Sequence, residues 1–179
     1  MTIAAEPVSS ARRRPPACKT TPARTGMVAL LGATLVGLTA CAPARPNAQL
    51  QGRDLNGRHV RVADLAGQPA VLLLWRSDCG PCLIELQGWA GLERAARGRL
   101  VAVALEPAPP AAAASQRLGL PSTMVWTASE PASEVLTRFG GAPPRLPLAI
   151  AVDSAGRTCA THHGILGTDR AKDWMRRCS

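Results

Sequence analysis

Two cysteines separated by two residues are the part of this sequence with the clearest chemistry. They lie in the run Cys79-Gly80-Pro81-Cys82. Thiol–disulfide exchange needs a thiolate that attacks a disulfide and a second thiol nearby that breaks the mixed disulfide. At a helix N-terminus, unpaired N–H groups and a partial positive charge favour the thiolate of the first cysteine. The spacing therefore predicts redox exchange, with Cys79 as the attacking thiol and Cys82 as the resolving thiol.

The segments on either side of the motif have the patterns that such a site needs. Residues 70–75 form an unbroken apolar run ending at Trp75, and its lack of alternation predicts a strand buried on both faces. After Pro81, apolar residues recur at helical spacing, and Gly98 is a stop signal. Pro81 suits the first helical turn because its missing N–H would have no partner there. The motif is thus predicted at a strand-to-helix junction.

The remaining pattern alternates strands with helices and ends in a hairpin. Residues 49–55 and 58–62 predict an N-terminal β-hairpin, because Asn56-Gly57 supplies the positive φ values of a tight turn. Further strands are predicted at 100–105, 124–127, 148–152 and 157–162, and further helices at 111–118, 132–139 and 168–177. This order predicts an α/β fold with a central mixed β-sheet flanked by helices.

The first forty residues have the pattern of a secretory signal. A basic stretch ends at Arg24, and the apolar run 27–40 follows it. A helix of that length reaches about 21 Å, short of the roughly 30 Å hydrocarbon core of a membrane. Leu38-Thr39-Ala40-Cys41 resembles a bacterial lipobox, which implies that Cys41 is lipidated and begins the mature chain. The alternative is an ordinary signal peptide with an incidental cysteine.

These signals predict three regions. Residues 1–40 are a lipoprotein signal peptide, residues 41–47 are the lipidated cysteine with a Pro-rich tether, and residues 48–179 are one domain. The expected location is the extracytoplasmic, periplasmic side of a membrane, with the chain anchored by its lipid.

The formal net charge of +9 suggests a nucleic-acid partner only at first sight. Five of the 21 basic residues and one of the 12 acidic residues precede residue 41, which leaves 16 basic and 11 acidic groups. The arginines among them are scattered and form no stripe with interleaved aromatic residues. A solvated, arginine-rich surface is therefore favoured over a nucleic-acid interface.

Three segments in sequence carry a resemblance to one family. They are Leu55-Asn56-Gly57 with residues 62–69; Trp75 with residues 79–82 and Glu85; and Pro147 with Asp153 and Gly156. In this order and at these intervals, most of residues 48–177 resembles the TlpA/ResA-type thioredoxin-like thiol-disulfide oxidoreductases. The resemblance implies a thioredoxin-like fold and a dithiol that works without a cofactor or metal.

The resemblance also implies how clients and electrons reach the dithiol. The bond between Leu146 and Pro147 is expected to be cis and to present a backbone edge on which a substrate strand can pair. Pro143 or Pro144 could be the cis residue instead, but only Pro147 directly precedes a predicted strand. Clients would be extracytoplasmic proteins with disulfides, such as apocytochrome c or copper-site proteins. The electrons would come from a membrane donor of the DsbD/CcdA kind.

Two positions depart from the family pattern near the dithiol. Asp78 replaces the usual Trp before the first cysteine, and a carboxylate there should oppose the thiolate unless it caps the helix. Leu73 stands where related proteins often have an acid or Asn near the buried thiol. Glu85, one turn after Cys82, is then the nearest acidic candidate for proton transfer, although a solvated helix residue is an equal alternative.

Two further cysteines follow in the predicted domain. Cys159 and Cys178 are predicted to form a structural disulfide, because an even number of thiols in an oxidising compartment invites pairing and the chain end would otherwise fray. A zinc site that combines the motif with Cys159 and His162 is disfavoured, because 76 residues separate the two halves.

The sequence leaves two functional alternatives to redox exchange. His162-His163 with the dithiol could bind copper, as in the Sco-type copper chaperones of similar fold, but those have one more residue between the cysteines. Two exposed histidines at a strand end are favoured over a metal site. The other alternative is a docking module without redox turnover, for which Asp78 and Leu73 are the only hints.

Overall fold

The computed structural model describes residues 48–140 and 143–179. The predicted signal peptide 1–40, and Cys41 with the rest of the predicted tether 41–47, lie outside those residues. Among the described helices, none combines the length and the apolar character that crossing a membrane requires.

The domain is built on one mixed seven-stranded sheet with helices on both faces. The strand order is β2-β1-β5-β4-β3-β6-β7, with β3, β4 and β5 parallel and the neighbours at either side antiparallel. In chain order the strands are β1 Gln51–Asp54, β2 His59–Arg61, β3 Ala70–Trp75, β4 Leu100–Ala104, β5 Val125–Ala128, β6 Leu148–Val152 and β7 Thr158–His163. The helices are α1 Gly80–Gln87, α2 Trp89–Ala95, α3 Ala108–Leu118, α4 Ala132–Gly140 and α5 Gly167–Arg177, and a 3-10 turn spans Val62–Leu65.

The central strand β3 is buried along its whole length, as its unbroken apolar run predicts. Alternate residues enter two cores: Val71, Leu73 and Trp75 face α1, α2, α3 and α5, whereas Leu72 and Leu74 face α4. Burial of each of these aliphatic side chains contributes about 1.5–3 kcal/mol to the stability of the fold. The two cores fix the strand from which the cysteine motif extends.

The strand register brings several chain segments to the edge of the sheet where β3 ends. Leu74 pairs with Leu148 of β6, so the residue before β6, Pro147, lies beside the end of β3. Trp75 pairs with Ala104 of the parallel strand β4, so the segments that follow both strands leave at the same edge. This edge carries the cysteine motif.

Both edges of the sheet are hairpins with the same turn sequence, Asp-x-x-Gly-Arg. In the first, Asp54 Oδ1 accepts from the N–H groups of Asn56 and Arg58, and Gly57 donates to the Asp54 carbonyl. Gly57 has a positive φ (84°), but Asn56 does not. The turn therefore differs from the predicted tight turn, in which both residues have a positive φ, because hydrogen bonds to Asp54 close it instead.

The second hairpin repeats these contacts at the other edge. Asp153 Oδ1 accepts from the N–H groups of Ala155 and Arg157, Gly156 donates to the Asp153 carbonyl, and Gly156 has φ 72°. Burial acts to raise the pKa of Asp54 and of Asp153, but the hydrogen bonds from the turn outweigh it, so both pKa values lie below the ordinary value.

Two helices differ from the sequence-based expectation. The long helix predicted after Pro81 is divided at Gly88 into α1 and α2, and the Gly88 N–H donates to the Glu85 carbonyl at 3.0 Å. Helix α3 begins at Ala108, three residues before the predicted start, because Pro109 and Pro110 occupy the first turn, where a missing N–H leaves no helical bond unmade.

Candidate active site

The cysteine motif begins helix α1. Cys79 is the N-cap, with extended backbone (φ −96°, ψ 98°), and its Sγ accepts from the Cys82 N–H at 3.3 Å. Gly80 and Pro81 form the start of the first turn, in which proline removes no helical hydrogen bond. The sulfur of Cys79 thus occupies the position where a helix stabilises negative charge.

The two cysteines form a disulfide in the structure but differ in access. Cys79 is partly exposed, whereas Cys82 has only 1 % of its surface exposed and belongs to the core beneath α1. A bulky disulfide of another protein could therefore reach the first sulfur and not the second. This asymmetry matches the division into attacking and resolving thiols.

The three residues before Cys79 are fixed by charged groups. Arg76 binds Asp78 through two contacts, Nε to Oδ1 at 2.9 Å and Nη2 to Oδ2 at 3.0 Å. Glu106, which follows β4, accepts from the Ser77 N–H at 2.7 Å and from the Ser77 hydroxyl at 2.9 Å. The loop before Cys79 is thereby attached to the segment that follows the neighbouring parallel strand.

Asp78 does not cap α1, since Cys79 takes that position. Its side chain is exposed and turned to Arg76, whose hydrogen bond and positive charge hold the pKa of the Asp78 carboxyl below its usual value. The carboxylate beside the dithiol is therefore ionised at neutral pH and paired with a cation.

Glu85 is buried, with 5 % of its surface exposed, rather than solvated. Its Oε1 accepts from the N–H of Leu166, at the N-terminus of α5, at 2.6 Å. Burial raises the pKa of Glu85, and hydrogen bonds from the backbone of Leu166 and Gly167 oppose that rise only in part. Glu85 thus joins the cysteine helix to α5 and is the buried acidic group nearest in sequence to Cys82.

Leu73 and Trp75 line the core on the same side of the sheet as Cys82. Leu73 is 2 % exposed and offers no proton donor or acceptor. The indole N–H of Trp75 is buried without a hydrogen-bond partner within the described residues. The side of the buried thiol that β3 provides is therefore apolar.

Pro147 is buried at the end of β3, and the Leu146–Pro147 peptide bond is cis. Its carbonyl accepts from the Gly164 N–H at 2.9 Å, which connects it to the segment between β7 and α5. Leu146 is half-buried and packs against both cores. Pro143 and Pro144 are exposed and precede this bond in a segment without regular structure.

Two isoleucines are the large hydrophobic side chains most exposed in the described part of the chain. Ile84 of α1 is 61 % exposed, and Ile165, directly before Leu166, is 50 % exposed. They are the chain neighbours of the two residues that the Glu85–Leu166 hydrogen bond joins. Both exposed apolar side chains therefore adjoin the contact between α1 and α5.

The two histidines lie on opposite faces of the edge strand β7. The Nε2 of His162 is 2.6 Å from Arg170 Nη1 of α5, whereas His163 lies next to the carbonyl oxygens of Gly140 and Arg145 on the α4 side. Burial and the charge of Arg170 lower the pKa of His162. This arrangement does not direct both rings at one metal ion, and residues 48–140 and 143–179 contain no group of three or more metal-binding side chains.

Cys159 of β7 and Cys178 after α5 form the second disulfide. Cys178 is 3 % exposed and packs beside Trp174 in the core that α5 covers. The bond ties the end of the chain to an edge strand, where a terminal helix is otherwise prone to fraying.

Three residues that shape the site were not identified from the sequence: Arg76, Ser77 and Glu106. The signal that could have identified Glu106 is topological. Segments that follow parallel strands meet at one edge of a sheet, so the second residue after β4 lies near the residues after β3.

Comparisons with known proteins support the fold. No protein-family model and no curated protein matches the chain. A thiol:disulfide interchange protein from Chlorobium tepidum aligns with a TM-score of 0.60 and 20% identity, covering 76% of this chain and 99% of its own. StoA from Bacillus subtilis aligns with a TM-score of 0.57 and 19% identity (73% and 98% covered), and the exposed lipoprotein thioredoxin Etrx1 from Streptococcus pneumoniae with 0.54 and 20% (72% and 98%). The chain has a thioredoxin-like fold, as its sequence predicts.

Proposed function

We propose that this protein is a thiol-disulfide oxidoreductase that reduces disulfides of extracytoplasmic client proteins. The observation that carries the proposal is the position of Cys79, partly exposed at the N-cap of α1 and bonded to the buried Cys82. Several proteins of similar fold are thiol-disulfide interchange proteins or oxidoreductases. This likeness supports redox exchange rather than metal delivery or a docking role without turnover.

The first chemical step begins from the reduced protein. The Cys79 thiolate attacks one sulfur of the client disulfide, a bond forms between the two sulfurs, and the client S–S bond breaks. The other client cysteine leaves as a thiolate and takes up a proton. The N-terminal end of α1 lowers the free energy of the attacking thiolate.

The second step releases the client. Cys82 loses its proton and attacks the Sγ of Cys79, so the mixed disulfide breaks and the Cys79–Cys82 disulfide forms. Two electrons have then passed to the client, which leaves as a dithiol. Glu85 is the acidic group we assign to proton uptake from Cys82, because it is buried one turn after Cys82 and burial raises its pKa, which makes its carboxylate a better proton acceptor.

The remaining parts of the proposal concern location and partners. We infer anchoring through a lipidated Cys41 and a periplasmic site of action, consistent with the exposed lipoprotein among the proteins of similar fold. An extracytoplasmic reductant must be re-reduced, which calls for a membrane electron donor of the DsbD/CcdA kind. The clients we favour are apocytochrome c or copper-site proteins, held on a backbone edge beside cis-Pro147.

An equilibrium redox titration tests the direction of transfer. The purified domain is equilibrated with glutathione or dithiothreitol buffers, and the state of Cys79 and Cys82 is read by alkylation and mass spectrometry. We expect a potential near the roughly −270 mV of reducing thioredoxins. A potential above about −150 mV, closer to the strong oxidants near −120 mV, would contradict the reductase proposal.

A further inference from the structure

The loop between β3 and α1 holds an ion pair directly beside the attacking cysteine. Arg76 donates hydrogen bonds to both carboxylate oxygens of Asp78, and Asp78 is the residue before Cys79. No other acidic residue lies in residues 76–82. The pair therefore sets the local charge at the point where a thiolate must form.

We propose that Arg76 is a positioning residue for thiol exchange, which neutralises Asp78 and holds the loop so that the Cys79 thiolate forms without an opposing free carboxylate. This inference rests on the proposed function, because it assigns a role in activating the thiol. Glu106 assists by fixing the middle of the same loop through Ser77.

The charge argument follows from the contacts. An unpaired carboxylate next to a thiolate raises the free energy of the thiolate, whereas a carboxylate in a two-point pair with a guanidinium forms a unit with almost no net charge of its own. The planar guanidinium meets both carboxylate oxygens at once, at 2.9 and 3.0 Å. Both side chains are partly in water, so the effect is moderate.

The geometric argument follows from the backbone. The Cys79 N–H donates to the Arg76 carbonyl at 3.2 Å, and Arg76 Nη1 donates to the Leu105 carbonyl at 3.3 Å. The main chain of Arg76 therefore binds the cysteine, and its side chain binds the residue that follows β4. Loss of the side chain frees Asp78 and removes this link at the same time.

Two other acidic side chains near the cysteine loop bind neutral groups. Glu106 accepts from Ser77, and Glu85 is buried against the N-terminus of α5. Arg145 lies in the segment before Pro147, and its carbonyl contacts His163. Arg76 and Asp78 are thus the two groups whose substitution changes the charge beside Cys79 most directly.

The test measures the alkylation of reduced Cys79 by neutral iodoacetamide as a function of pH. The variants are Arg76→Gln, Asp78→Asn, the double variant and Arg76→Lys, with Arg94→Gln, at an exposed position of α2, as the matched control. We expect Arg76→Gln to react about three-fold more slowly at neutral pH and Asp78→Asn about three-fold faster. The midpoint of the curve of alkylation rate against pH should move up in the first variant and down in the second. The double variant should return close to the native rate, and Arg76→Lys should fall between native and Arg76→Gln.

Three results would overturn the inference. Unchanged midpoints in both single variants would remove the charge effect, and a double variant as slow as Arg76→Gln would make Arg76 a purely structural residue. A midpoint shift in the control as large as that in Arg76→Gln would show an effect of net charge alone. If Arg76→Gln does not fold, Asp78→Asn still decides, because it leaves the bond from Arg76 to Leu105 in place.

The assay separates this inference from the proposed function, because alkylation needs no client. If the native protein fails to reduce insulin or other disulfides while the midpoints shift as expected, the proposed function fails, although the charge effect of Arg76 and Asp78 on Cys79 is shown. If insulin is reduced but the midpoints do not move, the inference alone fails.

Discussion

The two disulfides of the domain differ in the chain that each one closes. Cys79 and Cys82 are three residues apart within one helical turn, whereas Cys159 and Cys178 are 19 residues apart and join β7 to the end of α5. Opening the first bond releases almost no chain, because the helix α1 already holds both residues. Opening the second removes a covalent link that closes a longer loop and so allows the unfolded chain more freedom.

Access does not separate the two bonds, because each joins one buried and one partly exposed cysteine. The position of the partly exposed cysteine differs instead: Cys79 caps the N-terminus of a helix, whereas Cys159 lies on the edge strand β7. A bond that closes a short loop at a helix N-terminus suits repeated opening and closing, and one that closes a longer loop suits permanent stabilisation. The comparison teaches that loop length and position in the fold, and not cysteine content, divide the thiols into two classes.

The largest expected effect comes from substitution of the Cys79–Cys82 pair. Cys79→Ser should reduce insulin-disulfide reduction by at least about a hundred-fold, because the attacking thiolate is lost. Cys82→Ser should instead accumulate a mixed disulfide with the substrate, detectable by non-reducing mass spectrometry. The matched variant Cys159→Ser/Cys178→Ser should retain most of the activity, and a loss equal to that of Cys79→Ser would contradict the division.

The next prediction compares how readily the two bonds open. Under native conditions with limiting dithiothreitol, Cys79 and Cys82 should be reduced and alkylated at least about ten-fold faster than Cys159 and Cys178, because Cys79 lies at a helix N-terminus, which stabilises its thiolate, whereas Cys159 lies on a strand. Peptide mapping by mass spectrometry gives both rates from one sample. Equal rates for the two pairs would remove the distinction, and addition of denaturant is the control that should abolish it.

The stability of the two bonds provides a third prediction. Cys159→Ser/Cys178→Ser should lower the free energy of unfolding by about 3 kcal/mol, the value that chain entropy gives for a loop of this length. Cys79→Ser/Cys82→Ser should lower it by less, because the loop between those residues is only a helical turn. Urea titration followed by tryptophan fluorescence measures both, and the reverse order would contradict the comparison.

The smallest expected effect concerns Glu85, which links the two regions by binding the N-terminus of α5 from α1. Because its pKa is raised in the folded protein, its contribution to stability is complete below the ordinary carboxyl range and decreases as pH rises through the raised value. Glu85→Gln keeps an acceptor for the Leu166 N–H but cannot ionise. In urea titrations from pH 4 to pH 8, the free energy of unfolding of this variant should therefore increase relative to that of the native protein as the pH rises.

A matched carboxylate gives the control with the opposite sign. Asp153 has a lowered pKa, so its contribution is present at neutral pH and decreases as pH falls through the acidic range. Asp153→Asn should consequently be less stable than the native protein at neutral pH, with the difference shrinking below pH 4. The same pH trend in both variants would contradict the assignment of Glu85.

The sequence was sufficient for the frame of the molecule. The buried strand β3, the helix that follows Pro81 and the final hairpin all follow from apolar runs and turn residues, and the α/β fold is confirmed. These features are local, because side-chain periodicity and turn chemistry are encoded within a few residues. The break at Gly88 was missed because a single glycine within a helical pattern is ambiguous.

The surroundings of the dithiol could not be predicted in the same way. The contact between Ser77 and Glu106 joins residues 29 apart, and that between Glu85 and Leu166 joins residues 81 apart. Such contacts depend on strand order and register, which no local pattern encodes. Glu85 was therefore open to two interpretations from sequence, solvated or buried, until its partner on α5 was known.

The repeated turn Asp-x-x-Gly-Arg has a consequence for how this sheet could be rebuilt. Both outer strand pairs are closed by a five-residue unit in which the aspartate carboxylate accepts from two N–H groups of the unit itself, at Asp54 and again at Asp153. The hydrogen bonds that leave the units, from the Leu55 N–H to the Val125 carbonyl and from the Gly67 N–H to the Ser154 carbonyl, use only main-chain atoms of the turns. The two turns should therefore be interchangeable in sequence, because the same five-residue pattern closes the sheet at both borders.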